Sequence, residues 1–343
     1  MCIIVPMRKI LFVLILFLGI AFVIVSFSEL EKTVETLRHG NLWFILLALS
    51  IQGVWFFVSG KTYRSIYRLL GMDDSLYNLT LLAAASNFIN VVAPSAGFGG
   101  IAVFIDHAKR RGYSSAKVTV AGALWLLLDY VAFLGMLALG LIVLVRRNDL
   151  ENSEIIASVV MLLIALSLAA LLYIGSRSAE MLGSALAWMA RLVNRLVRPF
   201  IHRDYLRVER AQEFAHEIAD GLSSLPERWH SLLKPLVWAI ANKALMACIL
   251  MVTFLSFRVD FSAGTIIGGF AISYLFLVVS PTPSGIGIVE GIMAVALNSL
   301  RVDWNHAVII TLAYRAITFW VPLGVGALAF RTLHLGNAKE ESV

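Results

Sequence analysis

The stretch from Val278 to Gly291 constrains this chain more than any other. It places Pro281, Pro283, Gly285, Gly287, Glu290 and Gly291 inside a long apolar tract. Proline has no N–H to donate and glycine has no steric preference, so an unbroken helix cannot pass through it. Within hydrocarbon, a broken helix survives only where protein or a water-lined cavity covers its freed backbone groups. The first half of the chain carries an echo in Val91, Val92, Pro94, Ser95, Gly97, Gly99 and Gly100. Aligning Pro94 with Pro281 pairs Val91 and Val92 with Val278 and Val279, Ser95 with Thr282, and Gly100 with Gly287. Two interrupted apolar segments at corresponding places in two halves point to the binding site of a transporter. Pro94, Gly97, Gly99, Gly100, Pro281, Pro283, Gly285 and Gly287 are therefore read as structural hinges.

Composition fixes the class. Of 343 residues, 59% are hydrophobic and 15% are charged, against roughly 25% charged in soluble domains. The expected fold is an all-α polytopic membrane protein, an inverted repeat with two broken, re-entrant hairpins. Full spans are expected near 10–27, 42–59, 118–145, 155–175, 235–257 and 307–330, with the hairpins at 75–106 and 262–300. That makes six spans plus two hairpins, or eight spans by hydropathy alone. The pseudo-repeats cover about 42–145 and 235–330 within a single domain of residues 1–343. Residues 10–27 resemble a signal peptide, but the apolar run is long and no small-residue cleavage site follows, so a retained first span is expected. Cys2 and Cys248 suggest neither a disulfide framework nor a metal site.

Residues 176–234 form the long polar region, with nine Lys/Arg and seven Asp/Glu. Leu182, Leu186, Met189 and Val193 recur there at helical spacing. One or two amphipathic helices on the cytoplasmic surface or beneath the bundle are expected, since so short a segment buries little core of its own. The distribution of Lys and Arg orients the chain. With both termini cytoplasmic in a cell membrane, the cytoplasmic segments hold twenty basic residues, the outer loops six, and the membrane two. The first hairpin then opens to the cytoplasm and the second to the outside.

Ionisable groups at mid-span cost about 2.5–3.5 kcal/mol even on lenient scales, so they are paired or line a polar cavity. Asp129 follows Pro94 at nearly the interval by which Arg315 follows Pro281. The expectation is that Arg315 engages an anionic group in a central cavity, with Asp129 or Glu290 as its counter-ion. An internal salt bridge that merely holds the bundle together is the competing reading. Glu290 just beyond the glycine turn serves equally well as a cap favoured by the helix dipole. Ser284, Thr282 and Ser95 offer hydroxyls to a headgroup, although such hydroxyls commonly bond back to their own backbone. Asn87 and Asn90 read as cavity liners or as interhelical hydrogen-bonding residues. Lys243, near the basic edge at Lys234, is a lesser candidate that could snorkel.

Enzyme signatures are sparse. The seven histidines fall in loops or at span ends without metal-ligand spacing, so no metal or cofactor is expected. The glycine-rich breaks lack the lysine and strand–helix context of a phosphate loop. Nothing points to nucleic acid.

The run Ser280-Pro281-Thr282-Pro283-Ser284-Gly285-Ile286-Gly287-Ile288-Val289-Glu290 resembles the Pro-x-Pro-Gly-Gly-x-Gly-x-x-Glu signature of the lysylphosphatidylglycerol synthase transmembrane-region family. These are also called flippase-like or UPF0104 proteins. Tyr314-Arg315 followed by Phe319-Trp320-Val321-Pro322 is similar to the family's last-helix pattern, and the resemblance covers essentially the whole chain. Ser284 replaces a glycine. Ala96-Gly97-Phe98-Gly99-Gly100 departs from the Arg and Glu that many relatives carry, so their headgroup preferences do not transfer. The resemblance implies movement of a lipid between leaflets. Membrane lipids are the expected partners, together with a separate lipid-modifying enzyme, a glycosyltransferase or aminoacyl transferase. The competing function is the membrane subunit of an enzyme that transfers a sugar or aminoacyl group to a lipid.

Overall fold

The computed structural model of the chain describes residues 35–92, 98–147, 152–201, 215–216, 218–222, 229–280 and 282–340. These residues form helices and turns, with no strand among them. In chain order the helices are α1 (Leu42–Leu69), α2 (Leu76–Val92), α3 (Phe98–Arg110), α4 (Ser115–Arg147), α5 (Asn152–Arg177) and α6 (Ala179–Ile201). After a 3₁₀ turn at Trp229–Leu232 come α7 (Leu233–Ser256), α8 (Ala263–Val279), α9 (Ile288–Ser299), α10 (Trp304–Arg315) and α11 (Val321–Glu340). Five described stretches are long and apolar enough to cross a membrane: α1, α4, α5, the α7 region and the continuous Trp304–Leu333 run. The chain is thus an all-α, multi-pass membrane protein. The span expected at 10–27 lies outside the described residues.

Boundaries follow local chemistry. Asn41 caps α1, its side-chain oxygen accepting from the Trp43 N–H at 3.0 Å. Ser262 caps α8 and Asp303 caps α10 in the same way, each such cap contributing about 1 kcal/mol. Helix α1 runs to Leu69 rather than stopping near 59, because Lys61, Arg64 and Arg68 are good helix formers and continue it past the apolar stretch. Helix α6 follows α5 after Ser178 alone and buries Leu182, Ala187 and Ala190 while exposing Met181 and Trp188. Of the residues expected on one face, Leu182 is buried and Met189 is exposed, and Leu182 and Leu222 both close on Gly175 at the end of α5.

Helices α1 and α7 lie antiparallel. At one end the Asn41 N–H donates to the Ser256 carbonyl at 2.9 Å. Further along, the Asn242 amide donates to the Ser59 hydroxyl at 2.9 Å. Around this pair each half leans on the other. The last helix, α11, packs on α2, and α4 packs on α8. Both contacts need a glycine. A methyl group on Gly326 would strike the Ala84 backbone, and one on Gly140 would strike Ala271. Ala84 and Ala271 are separated by the same interval as Pro94 and Pro281, and Gly140 and Gly326 by the same interval as Asp129 and Arg315. Small residues at these crossings allow the close backbone approach that drives helix association in lipid.

Among the described residues, two large apolar clusters stand out. One gathers Ile66, Leu70, Leu79, Leu82, Phe104, Val120 and Leu124. The other gathers Phe133, Ile249, Phe254, Phe270, Leu275, Leu297 and Tyr314. At the base of the first, Asp74 ties the α1–α2 turn to the end of α3. Its carboxylate accepts from the Ser75 N–H (2.7 Å) and the Asn78 amide (3.0 Å), and meets His107 Nε2 (2.8 Å) and Arg111 (3.3 Å).

Candidate functional site

The second break is a tight turn between α8 and α9. Ser280 leaves α8 in an extended conformation, and Thr282 through Gly287 fold into a compact turn. Ser284 (φ 51°), Gly285 (φ 71°) and Gly287 (φ 78°) all adopt the left-handed region. Glycine suits two of these positions because it alone carries no Cβ penalty there. The Thr282 hydroxyl donates to the Ile286 carbonyl at 3.1 Å and lies 2.9 Å from the Ser280 hydroxyl, so it is engaged within the turn. Ser284 contributes its carbonyl, which accepts from Arg315 Nη2 at 3.1 Å.

Helix α9 starts at Ile288, and Glu290 reaches back to accept the Gly287 N–H at 2.8 Å through Oε2. Its other oxygen accepts from Arg315 Nε at 2.5 Å. The Arg315 side chain is 6% exposed and that of Glu290 13%, and the guanidinium lies 4.6 Å from the Phe319 ring centre. Glu290 is therefore both the cap of α9 and the counter-ion of Arg315. Arg315 is the last residue before a π turn at Ala316–Trp320, where the Val321 N–H donates to the Ala316 carbonyl five residues back. Pro322 follows, and a proline there cannot donate to the Thr318 carbonyl and clashes with it. Such π turns recur at functional sites.

Asp129 stands elsewhere. Of the two counter-ions considered for Arg315, the structure pairs it with Glu290, while Asp129 meets Lys243 at 2.6 Å. Lys243 is 2% exposed, so it does not snorkel to the basic edge. The Tyr274 hydroxyl donates to Asp129 Oδ2 at 2.9 Å. Lys243 Nζ donates to the same hydroxyl and sits 3.9 Å from that ring's centre. This α4–α7–α8 cluster joins the two halves. Position along the chain placed Lys243 too close to the surface, and Tyr274 carried no signal beyond its type. Counting charges calls for two pairs, because two acids and two bases lie inside the membrane, but it does not say which acid takes which base.

At the first break, the Asn90 side-chain oxygen accepts from the Gly100 N–H at 2.7 Å. A methyl on Gly100 would meet both Asn90 and the Ser86 hydroxyl. Asn90 thus spans the start of α3 as Glu290 spans the start of α9. Asn87 is half-buried on α2, and Gly99 is half-buried in the first turn of α3. Pro94, Ser95, Gly97 and Pro281 lie outside the described residues, and of Pro283 only the backbone turn is described. The end of α2 reaches the second break. Val91 from α2, Ile286 from the turn and Phe319 from the π turn form one apolar cluster. A shallow apolar crevice with no room for a water molecule is lined by Phe44, Ala48, Thr253, Phe257, Ala313 and Ile317 among others. Among the described residues, no cluster of His, Cys, Asp and Glu has a metal-binding arrangement.

Residues 9–326 match the family described as "Lysylphosphatidylglycerol synthase TM region". A "UPF0104 membrane protein" of Methanothermobacter thermautotrophicus is 24% identical over 316 residues, covering 90% of each chain. A UPF0104 membrane protein of Pyrococcus horikoshii is 23% identical over 329 residues, covering 92% of this chain and 95% of the other.

Proposed function

Because the chain belongs to the lysylphosphatidylglycerol synthase TM region family, we propose that it is a lipid flippase, moving a lipid with an anionic or carrier-type headgroup between leaflets. Family and multi-pass architecture support a lipid-handling membrane function.

The observation that carries the finer reading is the Arg315–Glu290 pair beside the second break. A buried ion pair is a poor stabiliser, and well-packed apolar residues in its place are often neutral or better by about 1–4 kcal/mol. Charges kept at such a cost inside a membrane mark a substrate path by default. Arg315 is the group that would hold a phosphate, with Glu290 holding the guanidinium in place while the site is empty. Ser284, Asn87, Asn90 and Ser95 would line the path, and the start of α3, where the neutral Asn90 sits, would favour an anion.

Length supports re-entrant hairpins. Helices α2, α3, α8 and α9 have 17, 13, 17 and 12 residues, roughly 18–26 Å at 1.5 Å per residue, against a hydrocarbon core of about 30 Å. The antiparallel α1–α7 pair and the reciprocal α2–α11 and α4–α8 contacts support an inverted repeat. Rocking of such halves would part the apolar cluster at the breaks and admit a headgroup while the tails stay in the bilayer. The excess of Lys and Arg supports cytoplasmic termini. A separate lipid-modifying enzyme would supply or consume the lipid.

Purified protein in proteoliposomes with labelled lipids tests this. Redistribution between leaflets without chemical change is expected. A modified lipid product would show an enzyme instead, and neither result would leave a scaffold.

A further inference from the structure

The Asp129–Lys243–Tyr274 cluster has no part in holding the second break, yet it joins three helices of both halves in the interior. Among the described residues, the interior charges at the two clusters cancel: Arg315 against Glu290, Lys243 against Asp129. An anionic headgroup entering this interior brings a charge that nothing balances. Taking a charge into a low-dielectric site without a partner is strongly unfavourable, so an occluded loaded state needs one compensating positive charge. Glu290 is committed to the α9 cap as well as to Arg315. Asp129 has no cap to serve, and its partner Lys243 bridges to the other half.

We infer that Asp129 is the coupling site for a proton that travels with an anionic headgroup, one proton for each lipid. This rests on the flippase reading above. In the empty protein the cluster is a neutral carboxylate–ammonium pair. When the headgroup enters from the wet side, one proton from water adds to an Asp129 oxygen, giving the acid. Lys243 keeps its own proton, so the cluster turns net positive and offsets the charge of the anion held at Arg315. On the far side the lipid leaves, the Asp129 proton returns to water and the pair re-forms. No bond other than that O–H is made or broken. Tyr274, which donates to Asp129 in the paired state, is a positioning residue that can turn to accept from the new acid.

Among the described residues, the other titratable neighbours are Tyr63 of α1, Tyr130 of α4 and Tyr314 of α10. Charges on α1 (Lys61, Arg64, Arg68), α3 (Asp106, His107, Lys109, Arg110), α4 (Lys117, Arg146, Arg147), α5 (Glu154, Arg177) and α7 (Lys234) stand toward helix ends. None offers a second carboxylate at the cluster's level.

The test is calorimetric titration of the whole protein in lipid nanodiscs with short-chain phosphatidylglycerol, in buffers of different ionisation enthalpy. Wild type is expected to take up about one proton per lipid bound, with affinity falling up to about tenfold per pH unit once the site must be loaded from alkaline solution. Asp129→Asn, at whatever affinity it retains, is expected to take up none. The double variant D129N/K243Q, which strands no ammonium, serves if the single variant fails to fold. Binding by wild type without proton uptake overturns the inference and leaves the flippase reading standing. Uptake that persists in D129N also overturns it, since the proton would then reside elsewhere. If the lipid neither binds nor crosses in proteoliposomes, the flippase reading falls and this inference with it.

Discussion

Neutralising the Arg315–Glu290 pair in a double-mutant cycle separates a functional site from a strut. Arg315→Gln strands the Glu290 carboxylate, and Glu290→Gln strands the guanidinium, in a place where the two side chains are 6% and 13% exposed. Removing one partner of a buried pair costs about 3–5 kcal/mol, so independent effects would sum to about 6–10 kcal/mol. The double variant strands no charge. The amide that Glu290→Gln introduces keeps a carbonyl oxygen able to accept the Gly287 N–H. What remains is mainly the lost Arg315–Ser284 bond, worth about 1.5–3 kcal/mol for a charged donor. The double variant is therefore expected to unfold at a higher temperature than either single variant, measured by heating in detergent. Additive losses would refute the pairing. The double variant is also expected to flip labelled lipid at least about tenfold more slowly than wild type, because the anion-binding group is gone. Wild-type translocation in that folded double variant would make the pair a strut and refute its role.

Other parts of the structure give sharper or simpler tests. Lys243→Met leaves Asp129 buried without its ion partner and should cost about 3–5 kcal/mol, most of it recovered in D129L/K243M; thermal unfolding checks both. Gly285→Ala should destabilise more than Gly287→Ala. Both positions have left-handed φ, costing an L residue about 1–2 kcal/mol, but only at Gly285 would the methyl strike Val289. Burial pushes the Asp74 carboxyl up, yet hydrogen bonds from His107, Asn78 and the Ser75 N–H, with the His107 charge, outweigh it and hold it below the ordinary aspartate value. Because its folded pKa is depressed, its stabilisation is full above the unfolded value and lost as pH falls through the folded one. Wild type should therefore lose more stability than Asp74→Asn on acidification below about pH 4. Gly140→Val and Gly326→Val should each disturb one of the two reciprocal helix crossings, α4–α8 and α11–α2, by about 1–3 kcal/mol of overpacking; loss of folded protein on size exclusion reads this.

Much of the site at the second break was legible because proline and glycine announce where a helix must stop. The turn at 282–287 and the start of α9 follow from Pro283, Gly285 and Gly287, and Glu290 at the third helical position announces a cap. The counter-ion of Arg315 was not settled by sequence, since Asp129 and Glu290 were equally available. Nor was the burial of Lys243. In a nearly all-apolar helix such as α7 there is no polar face to reveal which side meets protein. Its depth depends on how α7 crosses α1 and α4, which is a tertiary fact. The helix continues to Leu69, past the span expected at 42–59, because charged side chains mark the membrane edge but do not terminate a helix. The π turn had a signal in Pro322, whose missing N–H forces a change of register somewhere in the preceding turn.

A structure determined in lipid nanodiscs, with headgroup density resolved, tests the central claim most directly. A lipid head is expected against Arg315 beside the 284–290 turn, with Val91 and Ile286 drawn apart. Lipids confined to the outer perimeter, with Val91, Ile286 and Phe319 still in contact in every conformation, would contradict it.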